Sequence, residues 1–149
     1  MKPLFILLIT YVLSILISRL IFGQFDFKLS GKIALAVMLI FTAIGHFVLT
    51  RGMTMMLPDF VPFRTELVYL TGILEIAAAV GIFFPSLRWI TGCCLILFFI
   101  LILPANIYAA WKGIDYQTGN LGGNGLSYLW FRIPFQFLLI AWTYFFVVR

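Results

Sequence analysis

Long apolar stretches separated by short polar segments make up nearly the whole sequence. Five of them, at positions 3–22, 33–50, 67–84, 89–111 and 129–148, approach the roughly 20 residues that a helix needs to cross about 30 Å of hydrocarbon. Lipid offers no water to backbone groups, so such segments form either helices or a closed barrel, and no alternation of period two favours a barrel. The pattern therefore predicts an all-α, multi-pass transmembrane bundle of five helices.

The composition supports a membrane protein and excludes a water-soluble one. The chain is 64% hydrophobic and 10% charged, with a mean hydropathy of +1.14, whereas soluble domains carry about 25% charged residues. Its net charge of +5 comes from scattered Lys and Arg residues rather than a basic stripe. We therefore expect contact with the lipid bilayer and no binding of nucleic acid, and we interpret residues 1–149 as one membrane domain.

The first stretch and the loop charges determine the expected orientation. No small-residue cleavage site follows the first apolar run, so it is interpreted as an uncleaved helix rather than a signal peptide. One face of the bundle has five cations and the other has four: Arg19, Lys28, Lys32, Arg88 and Arg149 against Lys2, Arg51, Arg64 and Lys112. Because Lys and Arg accumulate on the cytoplasmic side, we expect the C-terminus in the cytoplasm and the N-terminus outside.

Two connections are longer than the others, at 51–66 and 112–128. The second is rich in glycine, but it follows a membrane helix rather than a strand, so it does not predict a phosphate-binding loop. We interpret it as a flexible surface connection. The first contains methionines of the kind that bind Cu(I), although packing at the membrane interface is the favoured interpretation: Met53, Met55 and Met56.

The cysteine and histidine content gives no cofactor site. Cys93 and Cys94 are adjacent in an apolar run, which provides neither a disulfide framework nor a zinc spacing, and we interpret them as small packing residues. The single histidine excludes a bis-His haem within this chain. No metal site is predicted.

Five polar side chains lie within the apolar stretches, at similar depth in the same half of the membrane: His46, Glu75, Asn106, Arg132 and Gln136. Ionisable groups inside a membrane are unfavourable by a few kcal/mol and usually face the bundle interior with a partner. Glu75 lies one turn from Gly72 and Ala79, on a face of small residues that a neighbouring helix can approach closely, so it should point inward. We expect Glu75 and Arg132 within hydrogen-bonding reach, directly or through Gln136, Asn106 or a water.

This polar set has two interpretations that the sequence leaves open. In the first it is a structural network in which Glu75 and Arg132 neutralise each other. In the second it lines a pocket, open to the outer face, that holds a polar head group, a quinone or a small substrate.

Several short segments resemble the DoxX family of small bacterial membrane proteins, in particular its DoxX-like branch. They are Gly45-His46-Phe47, the prolines Pro58 and Pro62, the run from Leu70 to Glu75, Pro85, the run from Pro104 to Tyr108, and the run from Arg132 to Gln136. They are spread over residues 32–148. The resemblance implies a four-helix core over those residues in the bacterial cytoplasmic (inner) membrane, with residues 1–25 as an additional helix packed outside it.

The resemblance also suggests classes of function. Some DoxX proteins take part in sulfur or quinone redox chemistry, including thiosulfate:quinone oxidoreductase, or in oxidative-stress complexes of the membrane. We therefore expect an accessory or non-catalytic subunit of a membrane redox or envelope complex, and quinone is the one cofactor suggested. One alternative is a quinone-linked sulfur oxidoreductase component that uses His46, Glu75 and Arg132. Another is a small-solute or lipid transporter, since a buried Glu accompanies a helix kinked by Pro104. Whether the chain is an enzyme stays open.

Overall fold

A computed structural model describes residues 2–123 and 125–149. The described chain is helical apart from its connections and one two-stranded hairpin. In chain order the elements are α1 (Lys2–Phe22), α2 (Phe27–Val48), α3 (Thr50–Met55), α4 (Arg64–Gly81), α5 (Pro85–Trp111), β1 (Ile114–Asp115), β2 (Asn120–Leu121), α6 (Ser127–Thr143) and a π-helix (Tyr144–Val148).

The all-α membrane bundle predicted from the sequence is confirmed, with four candidate spans. Among the described residues, the helices long and apolar enough to cross a membrane are α1, α2, α5 and α6 with its π-helical extension. The stretch predicted as the third span is also a helix, α4, but its 18 residues include Arg64, Glu66 and Glu75. Those charges lower its hydropathy below that of the other four helices.

The turn between α1 and α2 follows from the residues around it. Gly23 has φ +70° and its N–H donates to the Arg19 carbonyl at 3.1 Å, which ends α1 with a left-handed glycine. Asp26 then caps α2, because its Oδ1 accepts the N–H of Leu29 at 2.8 Å. These two residues force the chain to reverse within four residues.

Helix α2 is the centre of the bundle. It packs against α1 and α4, and more lightly against α6 and the π-helix, whereas α5 packs against α6, the π-helix and α4. Helix α4 runs antiparallel to α2 along most of its length. At one end His46 meets Thr71, and at the other a small groove brings Ile33 and Val37 together with Phe83.

The end of the bundle that holds the C-terminus, called here the packed end, contains much of the hydrophobic core. Leu35, Leu39 and Ile82 are fully buried there, and Val147 is 1% exposed. The Trp142 indole N–H donates to the Gly31 carbonyl at 3.0 Å.

Gly31 allows the last turns of the chain to approach α2 closely. A Cβ at this position would overlap the Phe146 ring, so only glycine fits without rearrangement. The Lys28 ammonium donates to the Arg149 carbonyl at 3.3 Å, which brings the C-terminus beside the start of α2. The packed end is therefore closed by contacts between residues far apart in sequence.

Helix α1 lies on the outside of α2. Only Leu7 and Ser18 are buried in it, and most of its large hydrophobic side chains are exposed. Tyr11 contacts the rings of Trp142 and Phe146, with centroid distances of 4.9 and 5.6 Å. This one aromatic cluster joins α1 to the C-terminal elements.

The two longer connections contain structure that the sequence analysis did not predict. The first contains α3, and the second contains the antiparallel hairpin in which Ile114 pairs with Leu121 and Asp115 with Asn120. Gly52 of α3 lies directly against the Tyr116 carbonyl, leaving no space for a Cβ. The glycine-rich segment therefore lies largely at the surface, as expected, and contacts α3 through Tyr116.

Candidate functional site

A cavity of about 770 Å³ lies at the end of the bundle opposite the packed end. The ends of α2 and α5 and the beginnings of α1, α4 and α6 meet around it, and α3 and the hairpin border it. Four of the five polar residues singled out from the sequence line its wall: His46, Glu75, Asn106 and Arg132. Their similar depth in different helices is what brings them to one cavity.

His46 is held between two side chains of α4. Its Nδ1 lies 3.1 Å from the Thr71 hydroxyl, and its Nε2 lies 3.6 Å from Oε2 of Glu75. His46 and Glu75 are 7% and 5% exposed. Because Thr71 and Glu75 are one turn apart on α4, both face the same imidazole ring.

Gly72 makes this contact possible. A Cβ on Gly72 would lie 2.9 Å from the Cβ of His46, closer than two such carbons approach in proteins. The small-residue face predicted from the sequence therefore allows His46 of α2 to pack directly against α4.

The Thr71 hydroxyl lies beside two groups that can accept its one hydrogen. Its oxygen is 2.8 Å from the Val68 carbonyl and 3.1 Å from Nδ1 of His46. When the hydrogen goes to Val68, the Thr71 oxygen accepts from Nδ1–H; when it goes to His46, Nδ1 is the acceptor. In both cases Thr71 orients the imidazole ring, and the other ring nitrogen, Nε2, faces Glu75.

Asn106 and Arg132 face the same cavity with polar atoms that lack partners. The Asn106 amide N–H donates to the Ile102 carbonyl at 3.0 Å, which fixes the amide orientation, while Oδ1 has no hydrogen-bond partner within residues 2–123 and 125–149. The same is true of Glu75 Oε2 and Arg132 Nε. Buried polar atoms without partners are uncommon in native proteins. Three of them on one cavity wall are a feature to be explained.

A direct contact between Glu75 and Arg132 is not formed in the described part of the chain, where the Glu75 carboxylate instead approaches His46, with 3.6 Å between Oε2 and Nε2. Neither Asn106 nor Gln136 bridges the two, since each amide donates to a backbone carbonyl instead. Arg132 lies near Phe135, 6.0 Å from its ring centroid. The depth of each residue in the membrane, counted along its helix, correctly predicted that these side chains share a cavity. Which side chain contacts Glu75 depends also on the rotation of α2 about its axis.

Gln136 lies outside the cavity lining. Its side chain is 2% exposed, and Nε2 donates to the Phe99 carbonyl at 2.5 Å. Phe99 precedes Ile100, whose carbonyl loses its helical partner because Pro104 has no N–H. Gln136 thus joins α6 to α5 beside the proline and contributes to packing of the two helices.

Three polar lining residues come from outside the four helices that carry the predicted site residues of the cavity. Tyr116 and Gln117 come from the hairpin, and Lys2 from the start of α1. No sequence pattern places a loop or a terminus against helices that are distant along the chain. Tyr116 closely approaches Gly52. The only trace of this contact in the sequence is a glycine within a polar segment.

The rest of the cavity is apolar and reaches the outer surface of the helices. Its edge includes hydrophobic side chains of α2 and α5 that are largely exposed, with Val48 at 72%, Leu101 at 66% and Ile44 at 54%. Both helices are candidate membrane spans. The cavity therefore joins a polar interior to a surface of the kind that lipid chains cover.

The comparisons with known proteins give a family. Residues 35–147 match the family model described as a domain of unknown function, DUF8561. The chain belongs to the DUF8561 family. The match begins within α2, so it includes His46, Glu75, Asn106 and Arg132 and leaves out α1. No curated protein and no solved structure matches the chain.

Proposed function

We propose that this DUF8561 protein crosses the bacterial inner membrane five times and binds an amphipathic molecule in the cavity of His46 and Glu75. We further propose that it does so as an accessory subunit of a membrane redox or envelope complex. The observation that carries the proposal is the apolar cavity of about 770 Å³ with unpartnered buried polar atoms of Glu75, Asn106 and Arg132 on its wall.

The fifth crossing is α4, and its packing supports this assignment. It runs beside α2 from the His46 contact to the groove at Ile33, so it lies at the same depth as an apolar helix of 22 residues. Arg64 and Glu66 lie in its first turn, where the membrane interface is expected, and Glu75 faces inward. The surface left for lipid is apolar: Leu67, Leu70, Ile73, Leu74, Ile76 and Val80.

The orientation proposed has the packed end in the cytoplasm. The contact between Lys28 and Arg149 brings two of the five cations of that face together, and Arg88 is close enough to Lys32 to interact electrostatically. Cations next to membrane helices are retained on the cytoplasmic side. The cavity then opens in the outer half of the membrane.

An amphipathic ligand fits the two parts of the cavity. Small-molecule sites of about 300–1,000 Å³ are mostly apolar with a few polar groups that fix orientation, and this cavity has that composition. An apolar tail would lie along the exposed edge at Leu101 and Val48, where it replaces lipid. A polar head would lie at the part of the wall formed by His46, Glu75 and Arg132.

The accessory role rests on the DoxX-like segments. Residues 45–47, 70–75, 104–108 and 132–136 each contribute a side chain to the cavity wall. Four of the DoxX-like segments thus contribute to the candidate site, which favours a binding role within a complex of that kind.

The test is to purify the protein from a bacterial membrane in mild detergent and to identify co-purified small molecules by mass spectrometry. We expect one bound amphiphile per chain, lost in Glu75→Leu and Asn106→Leu. Glu66→Gln, an exposed change on the same helix, is the matched control and should retain it. Equal retention by the wild type and Glu75→Leu would contradict the proposal. The accessory role requires protein partners in the same preparation; a monomer with turnover of its own would exclude it.

A quinone-linked sulfur oxidoreductase is the second candidate, favoured by the approach of His46 Nε2 to within 3.6 Å of Glu75 Oε2 at the cavity wall. Reduction of a quinone by two thiosulfate ions yields tetrathionate and takes up two protons, and this pair stands at the cavity wall to deliver one of them. Purified protein supplied with thiosulfate and a soluble quinone should then form quinol. Absence of quinol above the rate of Glu75→Gln would exclude this activity.

A further inference from the structure

Two cations at the packed end lie near each other without an anion between them. Lys32 of α2 and Arg88 of α5 are half-buried, and Arg88 is close enough to Lys32 to interact with it electrostatically. Neither side chain makes a hydrogen bond or an ion pair within residues 2–123 and 125–149. Like charges within this range repel each other. An anion bound between the two would relieve the repulsion.

The surroundings of this pair are also positively charged. Lys28 lies one turn before Lys32 on α2 and interacts with it electrostatically, and the Lys28 ammonium contacts the Arg149 carbonyl at 3.3 Å. Of the five acidic residues in the sequence, four lie towards the cavity end and one, Asp26, lies at the packed end. Asp26 caps α2, where its Oδ1 accepts the Leu29 N–H at 2.8 Å. The packed end therefore has an excess of positive charge that favours an anion.

An apolar groove begins directly beside the two cations. It has a volume of about 340 Å³ and lies between α2 and α4. Its lining includes Ile33, which follows Lys32 in the chain, and Phe84, whose carbonyl accepts the Arg88 N–H at 2.9 Å. The groove is thus one residue from Lys32 and one helical turn from Arg88.

The groove has the chemistry and the length of a site for a hydrocarbon chain. All of its lining residues are apolar. Ala36 and Ala79, at 5% and 2% exposure, form its floor, and the more exposed Val37 and Ile40 form its edge. The lining extends over about two turns of α2, a length of about 10 Å, against about 15 Å of hydrocarbon in one leaflet of a bilayer. A groove of this length follows an acyl chain from the interface towards the membrane centre.

We propose that the packed end binds an anionic phospholipid, with its phosphate between Lys32 and Arg88 and one acyl chain in the groove between α2 and α4. A guanidinium donates two parallel hydrogen bonds to a phosphate, and an ammonium adds a compact positive charge. Basic pockets between transmembrane helices are a recurring type of site for anionic lipid head groups. This site is separate from the cavity and does not depend on the function proposed for it.

The same features exclude two other occupants. In a zwitterionic phospholipid the ammonium group of the head cancels the charge of the phosphate, so the excess of cations at this end gives it no advantage. Inorganic phosphate has the charge but no chain to occupy the apolar groove. Only an anionic lipid uses both parts of the site.

The test measures lipid binding to the full-length protein in mild detergent by native mass spectrometry. The probes are palmitoyl-oleoyl phosphatidylglycerol and the phosphatidylcholine with the same acyl chains, and inorganic phosphate is the competitor. Each Lys or Arg near a lipid head group contributes about fivefold in affinity. We therefore expect phosphatidylglycerol to bind about ten- to thirtyfold more tightly than phosphatidylcholine. Millimolar inorganic phosphate should not displace it.

Two double variants show whether the preference belongs to this site. Lys32→Gln combined with Arg88→Gln should lower the preference for phosphatidylglycerol to about threefold or less. Arg19→Gln combined with Arg149→Gln removes the same charge from the same end and should change the preference by less than about twofold. If the first double variant does not fold, Arg88→Gln alone replaces it and should lower the preference by about fivefold.

Three results would overturn the proposal. The first is equal binding of the two lipids by the wild type. The second is an equal loss of preference in both double variants, which would indicate general surface charge rather than a site. The third is displacement of phosphatidylglycerol by inorganic phosphate, which would indicate an anion site without a lipid chain.

Discussion

The two ends of the bundle differ in how closely their helices pack. At the packed end the Trp142 N–H donates to the Gly31 carbonyl, and Gly31 leaves space for the Phe146 ring. At the other end a cavity of about 770 Å³ lies between the helices, and Glu75 and Asn106 each have an oxygen with no hydrogen-bond partner among the described residues. The same is true of Ser30 Oγ and Gln136 Oε1, which do not line the cavity.

The difference agrees with a stabilising role for the packed end and with the binding role proposed for the cavity end. In lipid there is little hydrophobic drive between helices, so close packing of small and large residues holds them together. The packed end has this arrangement. At the cavity end the helices are less closely packed, and His46, Glu75, Asn106 and Arg132 line the space between them. This is the arrangement expected of a preorganised site.

The sharpest test of this comparison is one substitution made at both ends of α2. Gly31→Ala places a Cβ into the Phe146 ring and should destabilise the protein by about 1–3 kcal/mol. At Gly45 a Cβ meets only the flexible end of Met53, at 3.4 Å, so Gly45→Ala should be neutral or stabilising by up to about 1 kcal/mol. Unfolding in mixed micelles measures both, and equal losses would remove the distinction between the ends.

The next effect concerns coupling within the site. The contact of His46 with Glu75 at 3.6 Å predicts a coupling free energy of about 0.5–3 kcal/mol in a double-mutant cycle of His46→Leu and Glu75→Leu. The cycle of Glu75→Leu with Arg132→Leu should give a smaller value, since no direct contact joins those side chains. A larger coupling free energy for Glu75 with Arg132 than for Glu75 with His46 would support the ion pair between Glu75 and Arg132 that the sequence predicted.

A smaller effect is expected at Thr71. Thr71→Val removes the hydroxyl that hydrogen-bonds with His46 Nδ1 and should cost about 1 kcal/mol of stability. Loss of this hydrogen bond should also change the ¹⁵N chemical shifts of the imidazole. Thr65→Val on the exposed face of the same helix is the control. Unchanged ¹⁵N shifts in Thr71→Val would contradict the hydrogen bond between Thr71 and His46.

The smallest effect is expected in the hairpin outside the membrane. Hydrogen bonds from the Gln117 N–H and from Thr118 lower the pKa of Asp115 below its usual value of 3.8. Because the folded pKa is the lower one, the stabilisation is complete above pH 3.8 and is lost as the pH falls through the folded value. Protease sensitivity of the hairpin should therefore rise only below about pH 4, and in Asp115→Asn it should be high at every pH. A rise near neutral pH in the wild type would contradict this.

The sequence was enough to establish the membrane-embedded, all-α character of the chain. Apolar runs of spanning length leave no alternative to helices once barrels are excluded. It also indicated that Glu75 faces inward, because the spacing of Gly72 and Ala79 depends only on helical periodicity. Similar depth of His46, Asn106 and Arg132 followed from counting residues along each helix, which needs no tertiary information.

Tertiary structure alone decided which side chains meet. Periodicity gives the face of a helix but not its rotation or its neighbour, so it could not distinguish His46 from Arg132 as the partner of Glu75. Nor could it show that Gln136 bonds to Phe99 outside the cavity. The contact between the hairpin and Gly52 joins residues more than 60 positions apart. A local sequence pattern does not predict which distant segments pack together.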